Sequence, residues 1–190
     1  MKRNLLITLS LFAIIFIALT SNKSLANTGV VKNNELDNDN KPSIIALAPH
    51  IVEMLYEIGA GEQIIGTTAF ADYPQQAKKI PRIGNYVRLQ LERVIELQPD
   101  LIIAWKSGNP SDDIARLKQL GFSIIYSDPN SFEDIAEEMR EFGKLTGHKN
   151  QAEQKAQKLL SELDVLKKQY QDKAPITVFY ELWSRPLTTV

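Results

Sequence analysis

LERVIELQPDLIIAW, residues 91–105, decides how this chain folds. Its first half places Leu91, Val94, Ile95 and Leu97 mostly on one side of a helix. Pro99 cannot continue that helix, and Asp100 suits the corner behind it. Leu101, Ile102, Ile103 and Ala104 then run apolar without a break, which fits a strand covered on both faces in a parallel sheet. Trp105 stands where that strand ends, ahead of a loop of Lys106, Ser107, Gly108, Asn109 and Pro110. Ligands of open α/β sheets bind at the carboxyl ends of strands. A Trp at that point is either a platform for a ligand or a lid on the core.

The same alternation extends in both directions. Upstream, Ile44 to Ala48 predicts a buried strand with Pro49 and His50 at its corner. Ile51, Met54, Leu55 and Ile58 then predict a helix stopped near Gly59 and Gly61. Ile64 to Thr68 predicts a second strand, followed by a loop with Phe70, Asp72, Tyr73 and Pro74. Ile80 to Ile83 predicts a short strand that Pro81 confines to an edge, with a turn at Gly84, Asn85 and Tyr86. Downstream, Ser111 predicts a helix N-cap with Asp112 and Asp113 in the first turn, and Ile114, Leu117 and Leu120 form its core face. Phe122 to Tyr126 predicts another strand, and Ser131 caps a helix carrying Phe132, Ile135, Met139 and Phe142. Residues 42–147 therefore predict an α/β lobe with a doubly wound, mostly parallel sheet.

A long helix over 148–173 follows, with Ala152, Ala156, Leu159, Leu160, Leu163, Leu166 and Tyr170 on one face. A length on the order of 30 Å suits a connector between two lobes. Ile176 to Tyr180 predicts the strand that opens a second lobe over 174–190, reduced to its beginning.

The 190 residues, 44% hydrophobic and 24% charged, are typical of a globular protein with one domain or slightly more. A net charge of −1 gives no reason to expect nucleic acid as a partner. With no cysteine, disulfides and thiol chemistry are excluded. Lys2 and Arg3 followed by the apolar run Leu5 to Leu19, with Ser24-Leu25-Ala26 behind it, predict a signal peptide over 1–26. The alternative is a retained anchor, but the run is short for a span of about 20 residues. The missing cysteine at the cleavage point excludes a lipoprotein. Residues 27–41 are polar and aperiodic and predict a disordered leader. The expectation is an exported protein, not embedded in the membrane once the signal is removed, working as a monomer in the periplasm.

Catalytic signals are poor. The chain has no GxGxxG, no GxxxxGK[ST], no GxSxG and no HExxH. His50 at a strand end either binds a metal or polarises a substrate, or is a hydrogen-bonded corner residue. His148, between Gly147 and Lys149, reads as a solvated helix-end residue. What stands out is aromatic side chains at strand ends: Phe70, Tyr86, Trp105 and Trp183. In a parallel sheet the first three emerge on one edge, which suits a bulky, flat, rigid ligand. Glu92 is either a favourable first-turn carboxylate or a docking charge.

Taken together, IIALAPHIVEMLYEIGAGEQIIGTT, FADYP, IGNY, LERVIELQPDLIIAW and VFYELWSRPLTT resemble the periplasmic substrate-binding proteins of importers for cobalamin, haem and iron siderophores. The resemblance covers residues 43 to 190. Trp105, the DYP loop and the YELWSRPL segment favour the cobalamin type. It implies two α/β lobes joined by one long helix, a corrinoid ligand held without a further cofactor or metal, and a membrane permease as partner. By the same resemblance Phe70, Tyr86 and Trp105 take the places of cleft aromatics, and Pro49 and His50 those of a cleft-edge corner. Trp183 falls where the second lobe begins to contribute, and Glu92 matches a permease-docking glutamate. The family's second lobe is nearly absent from these residues. The resemblance therefore implies a fragment of weakened affinity whose C-terminal strand is unpaired and prone to aggregate. Two rivals stand beside it. One is a haem or ferric-siderophore binder of the same family. The other is a secreted α/β hydrolase or metal-assisted enzyme using His50 with Glu53 or Asp72.

Overall fold

The computed structural model describes residues 41–184 and 187–189. The expected signal peptide and nearly all of the expected leader lie outside the described residues, as do Arg185, Pro186 and Val190.

Four strands form one parallel sheet: β1 (Ile44–Ala46), β2 (Ile64–Thr67), β3 (Leu101–Trp105) and β4 (Ile124–Ser127), in the order β2-β1-β3-β4. Successive side chains of a strand point to opposite faces, and in β1 and in β3 up to Ala104 both faces are buried. Ile44, Ala46, Leu101 and Ile103 meet α1 (Pro49–Glu57), α4 (Phe132–Thr146) and α5 (Lys149–Tyr170) on one side. Ile45, Leu47, Ile102 and Ala104 meet α2 (Leu91–Leu97) and α3 (Ser111–Gln119) on the other. The sheet is therefore wound on both faces, as expected.

The amino edge of the sheet is fastened by a reciprocal clasp. Asp100 Oδ2 accepts from Ser43 N at 2.8 Å and from Ser43 Oγ at 2.7 Å, while Asp100 N donates to Ser43 O at 3.0 Å. These bonds from Ser43 hold the Asp100 carboxyl below the usual carboxylate range. The clasp starts β1 and β3 in register, Ile44 opposite Leu101. Trp105 and the β1–α1 corner consequently end at the same edge.

Several local expectations are corrected. Ile95 of α2 is exposed, and Val94 is that helix's buried anchor. The cap position of α3 belongs to Pro110, not Ser111, and Asp113 instead accepts the Leu89 N–H at 2.8 Å. Ile80–Ile83 contributes only a single parallel bridge, Arg82 opposite Thr67. The fourth strand begins at Ile124, two residues later than expected. No strand forms at Ile176–Tyr180, which has no neighbouring strand among the described residues to complete a ladder. Pairing begins instead at β5 (Glu181–Ser184), antiparallel to β6 (Leu187–Thr189), so the C-terminal strand is not unpaired.

The first half of α5 belongs to the core of the lobe. Ala152 and Ala156 are fully buried, and α5 meets α4 so closely that a Cβ on Gly143 would stand 2.2 Å from that of Ala152. Arg140 forks onto Glu153 at 2.8 and 3.2 Å across the same seam. Farther along, Val165, Leu166 and Tyr170 are exposed.

Candidate functional site

The connection from β1 runs to β2 along one face of the sheet, and that from β3 runs to β4 along the other. The carboxyl ends of β1 and β3 thus flank the topological switch point, where open α/β sheets leave a crevice. A concavity of about 480 Å³ lies there. Ala48 and Pro49 after β1, Thr68 and Phe70 after β2, Tyr86, and Trp105 with Gly108 and Asn109 at the end of β3 line it. Phe70 is 68% exposed, Tyr86 67% and Trp105 37%. Three rings and a proline thus stand open around one apolar hollow.

Each ring is held by its own loop. Phe70 adopts the left-handed backbone at φ +70°, a conformation bulky side chains rarely take. Its loop is tied by Arg82, which donates to Ala71 O at 2.8 Å and Ala77 O at 3.1 Å and pairs with Asp72 at 3.3 Å. Tyr86 rides a tight turn in which Asn85 Oδ1 accepts from Val87 N at 2.8 Å and Arg88 N at 3.0 Å. That turn needs Gly84: its φ is +143°, and a Cβ there would meet Arg88 O at 2.5 Å. Ala69 N donates to Gly84 O at 2.9 Å, fixing the turn to the Phe70 loop.

Trp105 lies over Gly108, where a Cβ would fall 1.9 Å from the ring. Asn109 cross-links the floor: its Oδ1 accepts from Trp105 N at 2.7 Å and its Nδ2 donates to Leu47 O at 2.9 Å. Sequence reasoning placed Asn109 and Gly108 only in a loop. Both owe their roles to partners three or more residues away, and neither breaks a periodicity that would mark it.

Of the other residues expected at the site, Pro49 lines the hollow, whereas His50 stands behind the rim. Its ring packs edge-on against Trp105, with centroids 5.7 Å apart, and its Nε2 lies 3.1 Å from Ser127 Oγ. Burial pushes the imidazole below its usual range, against the opposing pull of Glu138 and Asp128. Glu53 is exposed and Asp72 is paired with Arg82, so neither carboxylate proposed for a His50-centred enzyme serves it. Ser127 does not make up a nucleophilic triad: it is fully buried, and the carboxylate of Glu138 binds the serine and not the histidine. Among the described residues no three His, Asp or Glu side chains gather as metal ligands. His148 is half-buried rather than solvated, bonded to Gln63 at 3.3 Å and Thr146 at 3.2 Å. Glu92 is exposed in the first turn of α2. Trp183 belongs to β5, and its side chain lies outside what the structure describes.

A family model described as periplasmic binding protein matches residues 44–188. The chain belongs to the periplasmic binding protein family. Over 147 residues it is 37% identical to the vitamin B12-binding protein of Vibrio campbellii, covering 77% of this chain and 54% of that one. The vitamin B12-binding protein of Photorhabdus laumondii is 36% identical over 146 residues, 77% of this chain and 53% of that one. Among solved structures, the periplasmic vitamin B12 binding protein BtuF of Vibrio cholerae superposes with a TM-score of 0.74 at 34% identity, covering 79% of this chain and 59% of that one. The periplasmic heme-binding protein RhuT of Roseiflexus superposes with a TM-score of 0.66 at 25% identity, covering 74% and 55%. This member of the family spans about half the length of the curated relatives it matches. Its parallel α/β sheet is the fold they share.

Proposed function

We propose that the chain acts in the periplasm as the substrate-binding component of an ATP-driven importer, holding cobalamin or a close corrinoid and delivering it to a membrane permease. The observation that carries this reading is the convergence of Phe70, Tyr86 and Trp105 on one apolar concavity. Exposed rings cover a flat macrocycle at little cost in rotamer entropy. Relatives named vitamin B12-binding protein, matched across the whole of the lobe, support the same ligand. Among the described residues, the lining offers no arginine or lysine for the carboxylates of a haem or the charges of a ferric siderophore. Binding, not catalysis, is what a rim of rings and one buried serine can do.

Titrating cyanocobalamin against the protein, read by tryptophan fluorescence and calorimetry, is expected to show saturable binding at micromolar ligand, with hemin binding more weakly. No saturation with cyanocobalamin, or tighter binding of hemin, would overturn the reading. Glu92, exposed on α2 and free of the concavity, is the charge that docks onto the permease. Glu92→Arg is expected to leave cyanocobalamin affinity intact and to slow association with permease-bearing vesicles by roughly tenfold, the usual scale for reversing a charge at the rim of an interface. Unchanged association would remove Glu92 from that role.

A further inference from the structure

Behind Trp105 runs a part-buried polar chain whose members do not line the concavity. The hydroxyl of Ser127 has one proton, and it goes to Glu138, whose Oε2 lies 2.5 Å from Ser127 Oγ. Ser127 Oγ therefore offers only lone pairs to His50 Nε2 at 3.1 Å, and the imidazole must be the donor. The proton of neutral His50 sits on Nε2. Glu138 is held at its other oxygen as well, where Oε1 accepts from Asp128 N at 2.9 Å. Ser127 is the register partner of Trp105 across β3 and β4 and is fully buried. The His50 ring stands at 83° to the indole, edge to face.

We propose that His50 is a positioning residue for the ligand: the Glu138–Ser127–His50 chain sets the Trp105 ring for stacking, and a ligand seated on that ring binds best while His50 is uncharged. This rests on the reading of the concavity as the corrinoid site. A macrocycle over Trp105 strips remaining water from a ring that is already half-buried, which penalises the imidazolium. Glu138 from α4 and Asp128 after β4 favour the proton, and burial opposes them more strongly. Glu53 on the same helix and Lys106 after β3 are exposed. The bound state thus holds the proton less firmly than the free state. By linkage, affinity is highest above the pKa of His50 in the free protein and falls as the pH drops through it.

The test is the Kd of cyanocobalamin from about pH 4 to about pH 8, a range extended on the acid side of the usual histidine pKa because burial lowers that of His50, for the wild-type chain and His50→Gln. Glutamine keeps an N–H for Ser127 but takes up no proton. The wild-type Kd is expected to rise about three- to tenfold between the alkaline and acid ends, and that of the variant to stay within about twofold across the same range. A flat wild-type curve, or a variant that keeps the slope, overturns the proposal. A ligand-free arm uses the Trp183→Phe background, in which Trp105 is the sole tryptophan. Its fluorescence is expected to show one inflection with pH that His50→Gln abolishes. Failure of cyanocobalamin to bind refutes the ligand reading, and the fluorescence arm then still decides whether His50 sets the ring. Binding without an inflection refutes the brace alone.

Discussion

Replacing Phe70 by glycine is expected to weaken cyanocobalamin binding by roughly ten- to a hundredfold, the effect of leaving about 1.5–3 kcal/mol of aromatic burial unmade. The ring is 68% exposed at the rim, so nearly all its contact surface is available to a ligand. Stability is expected to change by no more than about 1 kcal/mol, because two backbone effects oppose each other. Glycine accepts φ +70° without strain, and it also gives the unfolded chain more freedom to lose. The pair of measurements is calorimetric titration and thermal unfolding on the same sample. Phe70→Tyr, which keeps the flat face, is expected to retain binding within about threefold. Full affinity in the glycine variant would show that no ligand rests on this ring.

The second large effect lies far from the rim. Gly143→Ala puts a methyl 2.2 Å from the Cβ of Ala152, so α4 and α5 must separate. Overpacking of this kind costs about 1–3 kcal/mol. In a chain of this length that corresponds to a fall in Tm of roughly 3–10 °C. Adding Ala152→Gly to Gly143→Ala removes the clash from the other side and is expected to restore most of the loss. Rescue by the double variant distinguishes a close approach of two helices from a general intolerance at position 143. If Gly143→Ala unfolds at the wild-type temperature, the seam is looser than its geometry states.

Much of the fold was legible in the residues because it depends on local patterns. The unbroken Leu101–Ala104 run, bounded by Pro99 and Trp105, is a buried strand and cannot be much else. The aromatics at strand ends also follow from pattern: once the strands are parallel, Phe70 and Trp105 must leave by one edge, whereas Tyr86 joins them on a turn after Ile80–Ile83, which makes only one bridge. What escaped is whatever depends on a partner distant in sequence. Asn109 looks like any loop asparagine until Leu47 is brought beside it. Asp113 suits a helix dipole in the linear sequence, and the fold hands it the Leu89 N–H. His50 takes its place at a cleft-edge corner only by resemblance, and its partner Ser127 on β4, 77 residues away, shows in no local pattern. Ile176–Tyr180 has strong strand propensity, but propensity forms no ladder without a neighbour.

The clasp between Ser43 and Asp100 has a consequence for engineering. Alignment of the two central strands is secured at the end of the sheet opposite the hollow, by residues outside its lining. The connections bearing the three rings are in that sense interchangeable fittings on an independently seated frame. Grafted or randomised versions of the segments around Phe70, Tyr86 and Trp105 can therefore be screened for other macrocycles without redesigning the interior.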